Sequence, residues 1–233
     1  MAKINPIRRA QIGHEKRART RAQLLSAANA LFARQAVESV IVDDIVREAG
    51  VAKGTFYVHF DSLETLTAAV ADELVITFDE LLQARRLTLS DPALRIAFGC
   101  RSFIDKALKD PRWASLVARM AAASPKGGEL ARQRLFEDLR QLSKGLPDLG
   151  ISAELKFEVA LGIMIQLMRA IGEGRLSSLD CDQAVGAILR GIGLSDRQTK
   201  SVLADLPTNS DGSGTDGAQS QKFRREGRPK SAT

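Results

Sequence analysis

The sequence predicts an all-α protein, a small three-helix unit at the N-terminus followed by a larger helical body. Three observations carry that prediction. Apolar residues recur at the 3.6-residue helical period along most of the chain, whereas β-branched runs alternating with period two are scarce. Proline and glycine cut this pattern into helix-sized pieces, with Gly50, Pro92, Pro111, Pro125 and Pro147 as the main breaks. A 233-residue chain with 44% apolar and 27% charged residues has the balance of a globular protein with a sizeable core.

Each element follows from local signals. Residues 1–14 are expected to form a basic disordered arm. The first helix covers 15–34, because Leu24, Leu25, Ala28, Leu31 and Phe32 fall on one face. Arg17, Arg19 and Arg21 crowd its first turns against the helix dipole, which suggests a use for those cations beyond helix stability. A solvated basic face is the plain alternative. A second helix covers 42–49, with Asp43 and Asp44 suited to its N-terminus and Gly50 to its end. A third begins near Ala52 and reaches His59. A fourth runs over 62–86, capped by Asp61 or Ser62 with Glu64 in its first turn. The remaining pattern gives helices over 92–108, 112–123, 128–144, 152–173, 180–193 and 195–205. From residue 206 onward, Thr, Asn, Ser, Asp and Gly dominate, too polar to bury an ordering core. The expected organisation is an arm (1–14), a three-helix unit (15–61), a body (62–205) and a disordered tail (206–233).

The net charge of +6 is unevenly placed. Residues 1–21 hold seven Lys and Arg against Glu15 alone, whereas 62–205 balances nineteen of each sign. A neutral body with basic ends suits a protein that meets a polyanion end-on, although charged tails also serve solubility alone.

The two short helices around Gly50 form a helix-turn-helix candidate. At about 100° per residue, Ala52, Phe56 and Phe60 share an inward face. Gly54, Thr55, Tyr57 and Val58 fall outward, with Lys53 and His59 at the borders. That strip offers a cation, two hydroxyls, an imidazole and a glycine that permits close backbone approach, the groups that contact phosphates and base edges. Tyr57 on that face can instead pack against the following helix.

The run Ile45-Val46-Arg47-Glu48-Ala49-Gly50-Val51-Ala52-Lys53-Gly54-Thr55-Phe56-Tyr57-Val58-His59-Phe60, behind an amphipathic helix, resembles the DNA-binding domain of the TetR family of bacterial transcriptional regulators. The resemblance is specific over about 15–70 and one of plan beyond. It implies a helix-turn-helix DNA-binding domain joined to a helical ligand-binding and dimerisation domain. The implied function is a ligand-responsive repressor that binds a palindromic double-stranded DNA operator as a homodimer. Carried over by position, Lys53, Thr55, Tyr57 and His59 contact DNA, Gly54 allows close approach, and Thr20 with Arg17 and Arg21 adds contacts from the first helix. Three positions depart from the pattern. Ile41 replaces the usual hydroxyl cap, so that cap is lost or supplied by Asp43. Ala52 replaces the usual Ser and Leu63 the usual Lys, which removes two phosphate partners that the basic arm is expected to replace.

The 152–173 helix is apolar nearly all round, with Leu155, Val159, Ile163 and Leu167 among its residues, so it needs cover on two sides. With the 180–193 helix it is expected to form a four-helix homodimer interface; a monomer that uses both as core is the alternative. A regulator of this plan implies a small-molecule effector. Candidate pocket groups are Phe103, Trp113, Met120, Phe136, Met164 and Met168, with Arg119 and Gln166 as polar anchors, suited to an apolar or aromatic ligand. The same residues also serve ordinary cores.

Other chemistries lack material. His14 and His59 are the only histidines, one in the arm and one on the third helix, which leaves no Ser-His-Asp arrangement or histidine zinc site. Cys100 and Cys181 are too few and too far apart for a disulfide framework or thiolate metal site. No catalytic group, metal or cofactor is expected. No apolar run reaches the ~18 residues of a membrane span, and no secretory signal follows the basic N-terminus, so a cytoplasmic protein is expected. Gly227-Arg228-Pro229-Lys230 is similar to a minor-groove AT-hook core, but Glu226 stands where a cation is wanted, and the segment is read as a basic tail. Two rival readings stay open: a helical scaffold or small-molecule-binding protein without a regulatory role, and a helical enzyme with an incidental helix-turn-helix.

Overall fold

A computed structural model describes residues 6–124, 128–145 and 150–207, and these contain helices and turns only. Helices α1 (Pro6–Arg34), α2 (Val42–Ala49) and α3 (Lys53–His59), with a single 3₁₀ turn at Val37–Ser39, build a head on the first half of α4 (Leu63–Arg86). The second half of α4 enters a body made of α5 (Pro92–Lys109), α6 (Pro111–Ala123), α7 (Glu129–Gly145), α8 (Ala153–Gly172), α9 (Cys181–Gly191) and α10 (Asp196–Ala204).

Local chemistry sets the helix starts. Pro92 and Pro111 open α5 and α6, where the N–H that proline lacks has no helical partner anyway. The Asp91 carboxylate accepts from the Ala93 N–H, and that of Asp110 from the Trp113 N–H. Ser62, Ser152 and Ser195 cap α4, α8 and α10 in the same way. The start of α7 is capped by another element: Asp72 of α4 accepts from the N–H groups of Gly128 at 2.7 Å and Glu129 at 3.2 Å. That contact ties α7 to α4.

Two apolar clusters follow. In the head, Leu24, Phe32, Ile45, Phe56 and Leu66 are fully buried, and Leu116 and Met120 of α6 join them. In the body, Ile96, Ile104, Leu139, Met168, Ile171 and Ile188 form the centre. Burying each such side chain contributes about 1.5–3 kcal/mol. The head therefore rests on α6 as well as on α4. In turn α8 crosses α6 closely: a Cβ on Gly172 would lie 2.7 Å from Ser115 Cα.

The ends of the fold differ from expectation. Helix α1 starts at Pro6 rather than near residue 15, so 6–14 are helical turns instead of a disordered arm; residues 1–5 lie outside the described ones. Proline is at home in a first helical turn. Leu206, expected in the tail, is buried against the body cluster, while 208–233, with the Gly227–Lys230 run, lie outside the described residues. Within α8, Leu155 is exposed while Lys156 is buried, with Nζ donating to Ser143 Oγ at 3.1 Å. No described helix is long and apolar enough to cross a membrane.

Candidate nucleic-acid interface and ligand cavity

Gly50 ends α2 in the left-handed region, with φ 66° and ψ 33°. In that conformation the Gly50 N–H donates to Arg47 O at 3.3 Å and the Val51 N–H to Val46 O at 3.0 Å. Side chains disfavour this φ, so the angle between α2 and α3 depends on glycine here. The start of α2 is covered by Asp44, whose carboxylate accepts from the Ile41 N–H at 3.3 Å. Asp43, the expected cap, instead pairs with Lys53 across the two helices at 2.8 Å. That hydrogen bond and charge hold the Lys53 pKa above its ordinary value, so the side chain stays cationic.

Two phenylalanines orient α3. Phe56 and Phe60 are buried, their rings 5.9 Å apart. Tyr57, 53% exposed, and Val58, 71% exposed, then point outward. Lys53 and Gly54 are exposed, and Thr55 and His59 are half-buried. Ala52, expected on the inward face, is exposed because it precedes the helix with extended backbone (φ −73°, ψ 149°). A Cβ on Gly54 would meet no atom within 4 Å, so the chain's own packing does not require glycine there. From α1, Arg17 is exposed. Thr20 donates its hydroxyl proton to Lys16 O at 3.0 Å and keeps its lone pairs as acceptors. The Arg21 guanidinium lies 5.0 Å above the Phe60 ring, which brings the α1 cations beside the end of α3.

In the body, α4 to α8 surround a cavity of about 160 Å³. Of the sequence-predicted pocket residues, Phe103, Met120, Met164 and Met168 stand in its wall. The other four lie elsewhere. Trp113 packs against Phe78 and Phe103, at centroid distances of 5.7 and 5.9 Å, and faces a separate cleft with Leu81 and Lys106. Phe136 meets Phe157 edge-on at 5.9 Å. Gln166 is exposed on α8. Arg119 donates from Nη1 to the Gln35 carbonyl at 3.2 Å, which ties α6 to the residue after α1. The α4 side of the wall, with Val75, Asp79 and Arg86, holds none of the sequence-predicted pocket residues. No sequence signal marks it, since its partners lie more than forty positions away.

Those partners form a buried ionic cluster. Arg134 pairs with Asp79, Arg86 with Asp138, and Arg95 Nε donates to Asp138 at 2.7 Å. Asp79 and Asp138 are both buried. Removing one member of such a pair costs about 3–5 kcal/mol, because its partner's charge is left uncompensated. The cluster thus binds α4, α5 and α7 together at one end of the cavity. Burial pushes the Cys100 thiol in the wall up to about 12, so it acts as a neutral, weakly polar surface. Among the described residues no group of three or more His, Cys, Asp or Glu is placed to hold a metal.

Residues 24–70 match the family of bacterial regulatory proteins described as the tetR family. The HTH-type transcriptional regulator TtgR of Pseudomonas putida is 37% identical over 70 residues, 30% of this chain and 33% of that protein. The uncharacterized HTH-type transcriptional regulator YvdT of Bacillus subtilis is 35% identical over 60 residues, 25% of this chain and 31% of that one. The match spans about a third of the length of these curated relatives. Among solved structures, RolR in complex with resorcinol aligns at 28% identity with a TM-score of 0.57, covering 84% of this chain and 98% of that chain. Native NalD, the secondary repressor of the MexAB-OprM multidrug efflux pump in Pseudomonas aeruginosa, aligns at 19% identity with a TM-score of 0.58, covering 76% and 96%, which is a likeness of fold.

Proposed function

We propose that the chain is a regulator of the TetR family, whose model it matches over residues 24–70, and that it represses transcription by binding a palindromic DNA operator as a homodimer until a small molecule enters its body. The observation that carries this is the outward strip of α3. Lys53, Gly54 and Tyr57 are held toward solvent by the buried Phe56 and Phe60 beneath them. In that arrangement Lys53, Thr55, Tyr57 and His59 reach phosphates and base edges in the major groove, and Gly54 lets the backbone come close. Arg17, Thr20 and Arg21 of α1 add phosphate contacts that set position rather than sequence. The dimer forms through α8 and α9, since a twofold site needs a twofold protein. The protein acts in the cytoplasm, where DNA is, and performs no catalysis.

The body supplies the switch. RolR, the neighbour at 28% identity, was crystallised with resorcinol, and the largely apolar cavity here is where a small apolar or aromatic effector enters this chain. Its wall residue Met120 also belongs to the head cluster, and the neighbouring Arg119 holds Gln35. A ligand that changes the spacing of α4 and α6 therefore moves the head. For a full switch it must favour the released conformation by about 5.5 kcal/mol.

Selection of bound duplexes from a random pool tests the proposal, with a palindrome expected. On that duplex, Lys53→Ala and Tyr57→Ala should each weaken binding about tenfold or more while leaving the melting curve in place. Unchanged gel shifts from both variants would remove α3 from the interface.

A further inference from the structure

The size and the polar end of the body cavity together narrow what it can hold. A dry apolar cavity of roughly 150 Å³ accepts one benzene molecule, and this one measures about 160 Å³. That room accepts a single aromatic ring. Most of the wall is apolar, with Val75, Ile96, Phe103, Leu161, Met164 and Met168 around it. Methionine sulfurs and an aromatic ring suit the edges and faces of a bound arene.

The polar end is more specific. Asp79 Oδ2 is engaged by Arg134 and, at 3.3 Å, by Gln83. Arg86 Nη2 is engaged by Asp138. The remaining pair, Asp79 Oδ1 and Arg86 Nη1, stands 3.8 Å apart, and both residues line the cavity. That separation is too long for a direct hydrogen bond. It is the spacing that one oxygen lying beside the pair can bridge, accepting from the guanidinium and donating to the carboxylate. A hydroxyl can do both. A carboxylate can accept but not donate, and it would set a second negative charge beside Asp79. A bare hydrocarbon would leave the pair unbridged.

We infer that the cavity binds a monocyclic phenol, its ring between Phe103 and the methionines and its hydroxyl bridging Asp79 and Arg86. The inference rests on the reading of the body as an effector site and names the effector's class.

Calorimetric titration of the full chain without DNA tests it, using phenol, resorcinol, toluene and benzoate as probes. Phenol or resorcinol should bind about tenfold or more tighter than toluene, because a site built to pair a hydroxyl rejects the analogue that lacks one. Benzoate should bind more weakly than phenol. Asp79→Asn should lower phenol affinity about tenfold and leave toluene affinity unchanged. Should that variant fail to fold, Gly99→Leu tests whether the ring sits in this cavity, and the phenol-to-toluene ratio of the parent decides the hydroxyl bridge. Gly99 lines the wall on α5, and a Cβ there meets no atom within 4 Å, so the leucine side chain can occupy the cavity. That variant should keep its melting temperature and lose phenol binding. Equal affinity for toluene and phenol, preference for benzoate, no ring binding at all, or full phenol binding by Gly99→Leu would each overturn the inference. Operator binding is read separately by gel shift. DNA binding without phenol binding overturns the ligand class and leaves the regulator; phenol binding without DNA binding does the reverse.

Discussion

Gly54 weakens α3 without serving any contact inside the chain. In a helix, glycine is less favourable than alanine by about 0.5–1 kcal/mol, and here a methyl group would meet nothing. Gly54→Ala should therefore raise the stability of the folded protein by up to about that amount in urea unfolding. The same variant should bind the operator about tenfold more weakly, since the methyl occupies space that the DNA backbone needs. A stabilised variant with undiminished binding would separate Gly54 from the interface. Lys53 poses the complementary question, because its ammonium is already paired with Asp43 in the free protein. Asp43→Asn frees the cation and removes a like charge from the phosphate path. Operator affinity should rise severalfold and fall more steeply with salt, by up to about one unit of log–log slope for each lysine released. A salt titration that superimposes on the parent would show that Asp43 and Lys53 are a surface pair without a role in binding.

At the scale of elements, neighbouring residues on α3 should behave oppositely. Phe56→Ala empties a fully buried site and should cost about 3–5 kcal/mol in unfolding experiments. Tyr57→Ala, on the exposed side, should leave stability nearly unchanged and act on DNA binding. Helix positions were largely legible from sequence because their punctuation is local. Pro92 and Pro111 open helices, Ser62 and Ser152 cap them, and Gly50 closes one. Features without a local apolar pattern were not legible. Pro6 opens α1 as Pro92 and Pro111 open α5 and α6, but the buried apolar face of α1 begins only at Leu24, so its first turns were missed. The phase of α8 was not legible because an apolar surface on nearly every side gives no preferred face; Leu155 is exposed there and Lys156 buried. The α3 part of the candidate interface was readable because it lies within seven consecutive residues of one short helix. The cavity was only half readable: Asp79 meets Arg134 across 55 positions, and helical periodicity carries no information about such pairings.

For the whole molecule, the proposed twofold assembly makes a demand on α8 that the charges on its surface can meet. Phe157, Ala160, Met168 and Ile171 face the chain's own core, while Glu158, Gly162, Gln166 and Arg169 form an exposed stripe. Val159 and Ile163 are committed to α9, where a Cβ on Gly191 would already press on them at 3.2 and 3.4 Å. The stripe is therefore the part of α8 available to a second copy. If two α8 helices cross antiparallel between Ile163 and Met164, Glu158 of each copy faces Arg169 of the other, and Gly162 near the centre lets the backbones approach. On α9 the nearby Arg190 is already paired with Asp196 at 2.6 Å, so it does not compete for Glu158. Glu158→Arg or Arg169→Glu alone places like charges at both ends of the crossing and should shift sedimentation from dimer toward monomer, with operator binding weakened in proportion. The double exchange restores opposite charges and should restore both properties. Single variants that sediment as the parent does would exclude this crossing. Recovery in the double variant requires the two residues to meet across the axis, because charges acting independently would add their effects rather than cancel them.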